Sequence, residues 1–216
     1  MPEISKKTIK KEDLLQISAF TYIVLIIAAN VMASKVVSFF NTPLDAGTIT
    51  YPFTFLIGDI LSEIFGYKQA RKVILLGFLA NLAFSAFALI ATFLPAYNAA
   101  EPLSTAYDTL FSYNIRILAA SFAAYIAGSL LNAASLVRIR KLTGEKWLAL
   151  RTIGSTALGA FADTVIFTAA AWAFTMPLSD MITMAAVSYA VKMIFEAAIA
   201  TPIDYILVPL IKKRVV

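Results

Sequence analysis

Six stretches of this chain are apolar over roughly 19 to 31 residues, about the length a helix needs to cross the hydrocarbon core of a bilayer. Leu14 to Ser34, Val73 to Pro95 and Ile117 to Val137 contain no charged residue. Thr152 to Met176 contains one, Asp163, and Met181 to Ile211 contains Lys192, Glu196 and Asp204. The stretch from Thr48 to Gly66, with Asp59 and Glu63 inside it, is the sixth. Only 14% of the residues are charged and 60% are hydrophobic, against about a quarter charged and about half apolar in a soluble domain. The expected fold is therefore an all-α membrane protein of six transmembrane helices. Residues 1–216 form a single transmembrane domain, of which 1–13 is a basic N-terminal segment. Within the sixth stretch, Pro52 suits the first turn of a helix and Gly66 its end.

Orientation follows from the basic residues in the short connections. With the N-terminus inside, the inner segments carry Lys6, Lys7, Lys10, Lys11, Lys68, Arg71, Lys72, Arg138, Arg140, Lys141, Lys146, Arg151, Lys212, Lys213 and Arg214, which is 15 of the 18 basic residues. The outer connections carry acids only: Asp45, Glu101, Asp108 and Asp180. Both termini are expected in the cytoplasm, and an odd number of spans would break the pattern. Lys6 to Lys11 precede the first apolar run without a small-residue cleavage site, as a cytoplasmic flank does rather than a cleaved signal. The connection from Ala96 to Phe111 is expected to hold a short surface segment. The net charge of +5 is thus explained by the membrane and not by nucleic acid.

There is no cysteine and no histidine, which removes disulfides, the usual zinc ligands and the commonest general base. No cofactor and no metal are implied. What stands out instead is charge at membrane depth: Asp59, Glu63, Asp163, Lys192 and Glu196. Each costs about 2.5–3.5 kcal/mol on insertion-based scales, so they should face the bundle interior, pair with one another and mark a ligand or ion path. Asp59 and Glu63 share a helix face at i, i+4 and repel, unless a proton, cation or donor intervenes. Lys192 and Glu196 have the same spacing in the weaker orientation, so Lys192 is expected to answer to Asp59, Glu63 or Asp163 on another helix. Arg116 is a further candidate. Asn30, Asn132, Ser155, Thr156 and Thr164 add hydrogen-bonding groups, and Tyr51, Phe53, Phe55, Trp172 and Tyr189 add flat faces. Such a set suits a flat, polar, neutral heterocycle: carboxylates accept from its N–H donors, rings stack on it, and an Asn or Lys serves its carbonyl edge. A cation or proton path would use buried acids as well.

Four motifs in order carry a resemblance. "YPFTFLIGDILSEIFGYKQARKVI", "RILAASFAAYIAGSLLN", "RTIGSTALGAFADTVIF" and "YAVKMIFEAAIATPIDY" together resemble the queuosine precursor transporter family, once called a vitamin uptake transporter family. The resemblance covers residues 14–211. It implies uptake of 7-deazaguanine precursors, chiefly preQ0 and preQ1, across the bacterial inner membrane. It also implies a fold similar to the substrate-binding components of energy-coupling factor (ECF) transporters. Carried over residue by residue, the site includes Asn30, Asp59, Glu63, Arg116, Asn132, Arg151, Ser155, Asp163, Lys192 and Glu196. Phe53 joins them as a stacking face. Arg151, at the inner end of its span, is equally suited to a lipid headgroup.

The partners expected are a small 7-deazaguanine substrate and membrane lipids. The pattern Ala29–Ala33, like Ala119–Ala123–Ala127, fits either an ECF docking helix or a homodimer face. The alternative function is an ECF-type binding component that needs an ATP-driven partner, since this chain has no nucleotide-binding loop. An intramembrane enzyme is disfavoured, because no His, Cys or Ser–Lys dyad at a plausible spacing is present.

Overall fold

The computed structural model describes residues 10–97, 102–143 and 148–214, with the side chains of residues 63, 133, 136, 137, 140, 143, 148–152, 204, 205, 208 and 212–214 left aside. The order is α1 (Lys11–Ala33), β1 (Val36–Phe39), β2 (Thr42–Asp45), α2 (Gly47–Phe65), α3 (Tyr67–Thr92), α4 (Pro102–Thr143), α5 (Leu148–Trp172), α6 (Leu178–Phe195), a π-helical turn (Glu196–Ala200) and α7 (Thr201–Arg214). Among the described residues, five segments are long and apolar enough to cross a membrane: α1, α3, Pro102–Asn132 of α4, Ile153–Trp172 of α5, and Leu178–Ile203 through the π turn. Large apolar side chains such as Phe20, Leu79, Phe87 and Ile194 point outward, while Asn81, Ser85, Asn114 and Lys192 are buried. A soluble protein places these groups the other way round, so the chain is a multi-pass membrane protein.

The sixth stretch forms α2, of 19 residues, but it is not among the five. Its two carboxylates and its polar opening, Gly47 to Tyr51, lower its hydropathy. The helix also starts earlier than Pro52 suggests. Pro52 lies in its second turn, where it cannot donate to the Thr48 carbonyl. Gly66 ends α2 at φ +81°, a conformation glycine adopts without strain, and α3 begins at the next residue. The expected surface segment before the fourth span is instead the first part of α4, which runs unbroken for 42 residues. At 1.5 Å per residue that is about 63 Å, so its basic end, with Arg138 and Lys141, projects beyond the bilayer. The last apolar stretch is divided by the π turn, in which the Thr201 N–H donates to the Glu196 carbonyl. Pro202 supplies a reason: it has no N–H for the Ala198 carbonyl, and a widened turn relieves the clash of its ring.

The connection after α1 is an ordered hairpin. Val36 pairs with Asp45, Val37 with Leu44, Ser38 with Pro43 and Phe39 with Thr42. Its two-residue loop, Phe40 and Asn41, has positive φ at both positions (46° and 63°), as a type I′ turn requires. Among the described residues, three apolar clusters hold the bundle. Tyr22, Ile26, Leu61, Val73 and Phe78 join α1, α2 and α3. Ala33, Ile117, Ala171, Trp172 and Met184 join α1, α4, α5 and α6. Leu56 and Ile60 of α2 meet Ala200, with Ile203 beside them. A polar tie crosses the bundle: Ser85 Oγ donates to Asn114 Oδ1 (2.9 Å), and Asn114 Nδ2 donates to the Asn30 carbonyl (3.2 Å).

Helices α4 and α5 run antiparallel at glycine contacts. A Cβ on Gly128 would lie 2.9 Å from the Asp163 Cβ and 2.9 Å from the Gly159 carbonyl oxygen. A Cβ on Gly159 would lie 2.7 Å from the Asn132 Cβ. Small residues let helix backbones approach where lipid gives no hydrophobic drive. Gly47 serves the same purpose for α2 on α1, because its Cβ would meet the Ala29 carbonyl and the Ala33 Cβ.

Candidate functional site

The close α4–α5 crossing places Asp163 opposite Lys192 of α6. Lys192 Nζ donates to Asp163 Oδ2 at 2.8 Å and to Thr164 Oγ1 at 3.1 Å. The side chains of both charged residues are under 10% exposed, at 7% for Lys192 and 8% for Asp163. The Tyr51 ring covers the ammonium, 5.0 Å from its centroid. Of the three acids the sequence offers Lys192, it is Asp163 that takes the proton donor. A buried pair of this kind is sustained only when geometry and further hydrogen bonds offset its desolvation. Thr164 and the Tyr51 face contribute that support.

Among the described residues, two cavities adjoin the pair. The first is lined by Ala29, Asn30 and Ala33 of α1, Asp45 of β2, and Gly47, Thr48 and Tyr51 of α2. Ser121 of α4, Asp163, Thr164, Phe167 and Thr168 of α5, and Ser188 and Lys192 of α6 complete it. The second is lined by Phe55 and Asp59 of α2 and by Tyr125, Gly128, Ser129 and Asn132 of α4. Thr156, Gly159, Ala160 and Asp163 of α5, with Lys192, Met193 and Glu196, close it. On each of α2, α4, α5 and α6 the first cavity takes residues nearer the hairpin, and the second takes residues one or more turns further on. The first lining carries two carboxylates to one ammonium and the second three to the same ammonium. Both walls therefore present acceptors to hydrogen-bond donors. Among the described residues no group of three or more carboxylates is arranged to hold a metal ion.

Sequence-derived candidates distribute as follows. Asn30 lines the first cavity, Asp59, Asn132 and Glu196 the second, and Asp163 and Lys192 both. Asn132 Oδ1 is buried without a hydrogen-bond partner. Arg116 lines neither cavity: its guanidinium donates to the carbonyls of Ala170 and Ala173 at the end of α5. A cation there satisfies carbonyls the helix leaves open. Phe53 also lines neither; it is 42% exposed and packs edge to face on Phe195 at 4.9 Å. Ser155 is buried on α5 outside both linings. The side chains of Glu63 and Arg151 lie outside the described residues.

Asp45, which the sequence places in an outer connection, lies in the connection between α1 and α2 but is buried there. Asp45 is 5% exposed. Its Oδ1 accepts the Thr48 N–H at 3.0 Å, and its Oδ2 accepts the Thr48 hydroxyl at 2.7 Å and lies 3.5 Å from Ser188 Oγ. The signal was present: an Asp three residues before a Thr at a helix start is a capping pattern. Tyr51 and Phe55, set edge to face at 5.2 Å, are the aromatic pair at the cavities in place of Phe53. The small residues Ala29 and Ala33 are buried at 3% each, against α2 and the core, and present no docking face.

Residues 45–207 match the family model described as "Putative vitamin uptake transporter". The chain is 29% identical over 167 residues to "Probable queuosine precursor transporter" of Bacillus subtilis (strain 168), covering 77% of this chain and 72% of that protein. It is 34% identical over 124 residues to the protein of the same name from Haemophilus influenzae, covering 56% of this chain and 48% of that one. It is 26% identical over 218 residues to "Queuosine precursor transporter" of Escherichia coli (strain K12), covering 98% of this chain and 93% of that one. No solved structure matches the chain. With most of its length inside the family model, the chain belongs to the vitamin uptake transporter family, whose members are described as transporters and not as enzymes.

Proposed function

We propose that this protein imports queuosine precursors, 7-deazaguanine bases such as preQ0 and preQ1, across the bacterial inner membrane. The observation that carries the reading is the buried Asp163–Lys192 pair with a carboxylate-bearing cavity on either side of it. The names of the relatives supply the substrate class. A guanine-like ring offers an N1–H and a 2-amino group side by side, and a carboxylate accepts both. Asp45 in the first cavity, and Asp59 and Glu196 in the second, are the carboxylates outside the Asp163–Lys192 pair. Tyr51 and Phe55 provide the stacking faces, and Lys192 serves the ring carbonyl. In this reading α2 is the sixth crossing and both termini are cytoplasmic.

The test is uptake of labelled preQ1 by cells that cannot synthesise it. Cells carrying this chain should accumulate the base, and Asp163→Asn and Lys192→Ala variants present at parental levels in the membrane should lose most of the uptake. Transport at the parental rate by both variants would sink the site assignment. Liposomes holding this chain alone are expected to take up the base. A requirement for a separate ATP-driven chain would replace the self-sufficient transporter with the ECF-type component.

A further inference from the structure

The linings of the two cavities have two residues in common, Asp163 and Lys192. These are the two ends of one 2.8 Å ion pair. The cavities follow one another along the helix axes, so the pair lies across the line that joins them. Aromatic rings thicken the wall. Tyr51 lines the first cavity and covers Lys192, while Phe55 lines the second and packs on Tyr51.

We propose that the path holds two stations in series for one flat, donor-rich ring, one on each side of Asp163–Lys192, and that this ion pair is the partition between them. Each chamber has the acceptors a station needs: Asp45 and Ser121 in the first, Asp59 and Asn132 in the second. The partnerless Oδ1 of Asn132 calls for a donor, because buried acceptors are ordinarily satisfied. The partition can open because Lys192 need not stand bare when it leaves Asp163. Its four-carbon stem is flexible, and carboxylates line the chambers on both sides: Asp45 in one, Glu196 and Asp59 in the other. Exchange of one carboxylate for another avoids the cost of an uncompensated buried charge. A solute carrying donors or a positive charge would trigger the exchange by taking Asp163 for itself.

The inference rests on the reading of the chain as a transporter, and its test needs no substrate. The chain has no cysteine, so single variants report one position each. Ser121→Cys lies in the first chamber and Thr156→Cys in the second. In sealed vesicles of both orientations, a membrane-impermeant thiol reagent should label each from one face only, and from opposite faces. Adding Lys192→Met should let the reagent reach both cysteines from both faces. The charge-exchanged pair Asp163→Lys with Lys192→Asp should restore one-sided labelling. Labelling of both cysteines from the same face in the parent overturns the two-station order. Unchanged sidedness with Lys192→Met, or two-sided labelling in the charge-exchanged protein, overturns the ion pair as the partition. Failure of preQ1 uptake with sidedness intact would tell against the proposed substrate and leave the partition standing.

Discussion

Lys192 and Asp163 illustrate what a single ionisable residue costs and returns in this protein. Truncating Lys192 leaves the Asp163 carboxylate buried with Thr164 and no cation. Breaking one side of a buried pair typically costs about 3–5 kcal/mol, whereas replacing both sides by apolar groups is often near neutral. Lys192→Leu should therefore lower the thermal unfolding midpoint in detergent by more than the double variant Asp163→Leu with Lys192→Leu does. Equal losses in the two would mean that the residues do not act as a unit. These two residues were legible in the sequence because a charge in an apolar run has no bland place to go. Asp45 was not, because it sits in a polar stretch where an acid is unremarkable, and only the fold of the hairpin carries it inward. The choice between Tyr51 and Phe53 was equally invisible. Two residues apart on a helix means about 200° around it, and composition does not say which side faces the bundle. Arg116 misled for a related reason: backbone carbonyls at a helix end, which no sequence pattern displays, satisfy its guanidinium.

Among the elements, the α4–α5 pair is the one whose geometry the site most depends on, and glycine sets it. The Cβ that Gly159→Ala would add falls 2.7 Å from the Asn132 Cβ, so the helices must part. Overpacking of this kind costs about 1–3 kcal/mol. Gly58 of α2 is the control, since nothing lies within 4 Å of the Cβ it would gain. Gly58→Ala should be neutral or stabilising by up to about 1 kcal/mol through helix propensity. Thermal unfolding of the two variants compares them directly, and equal midpoints would contradict the close crossing. Six helical stretches were readable from the lengths of the apolar runs. The hairpin was not, because Val36 to Asp45 is short and looks like an ordinary polar connection. Nor was the joining of the expected surface segment into α4, since helix continuity through Pro102 to Arg116 depends on packing against α3, where Tyr107 reaches the Ala88 carbonyl.

At the scale of the whole molecule, the distribution of basic residues and the placing of the cavities make one joint expectation. The hairpin end faces outward, and the end carrying Arg138 and Lys141 faces the cytoplasm. A fluorescent reporter fused after Val216 should fold and shine, and alkaline phosphatase fused in the connection at 98–101 should be active. The reverse pattern would mean either that α2 does not cross or that the whole bundle is inverted. The general class and the order of the spans could be read from the sequence, but not which helices touch, because lipid-facing and bundle-facing apolar residues look alike. The π turn then has a consequence for the C-terminal quarter. An α-helix advances about 100° per residue, and a turn closed i to i+5 holds one residue more than the helix around it. That surplus is a phase shift. It lets α6 aim Lys192 at Asp163 while α7, downstream, turns Ile203 and Ile211 onto Leu56 and Ile60. The seat of the last helix is thus a matter of phase: one residue more or fewer between Lys192 and Ile203 would turn the apolar face of α7 by about 100° away from Leu56 and Ile60.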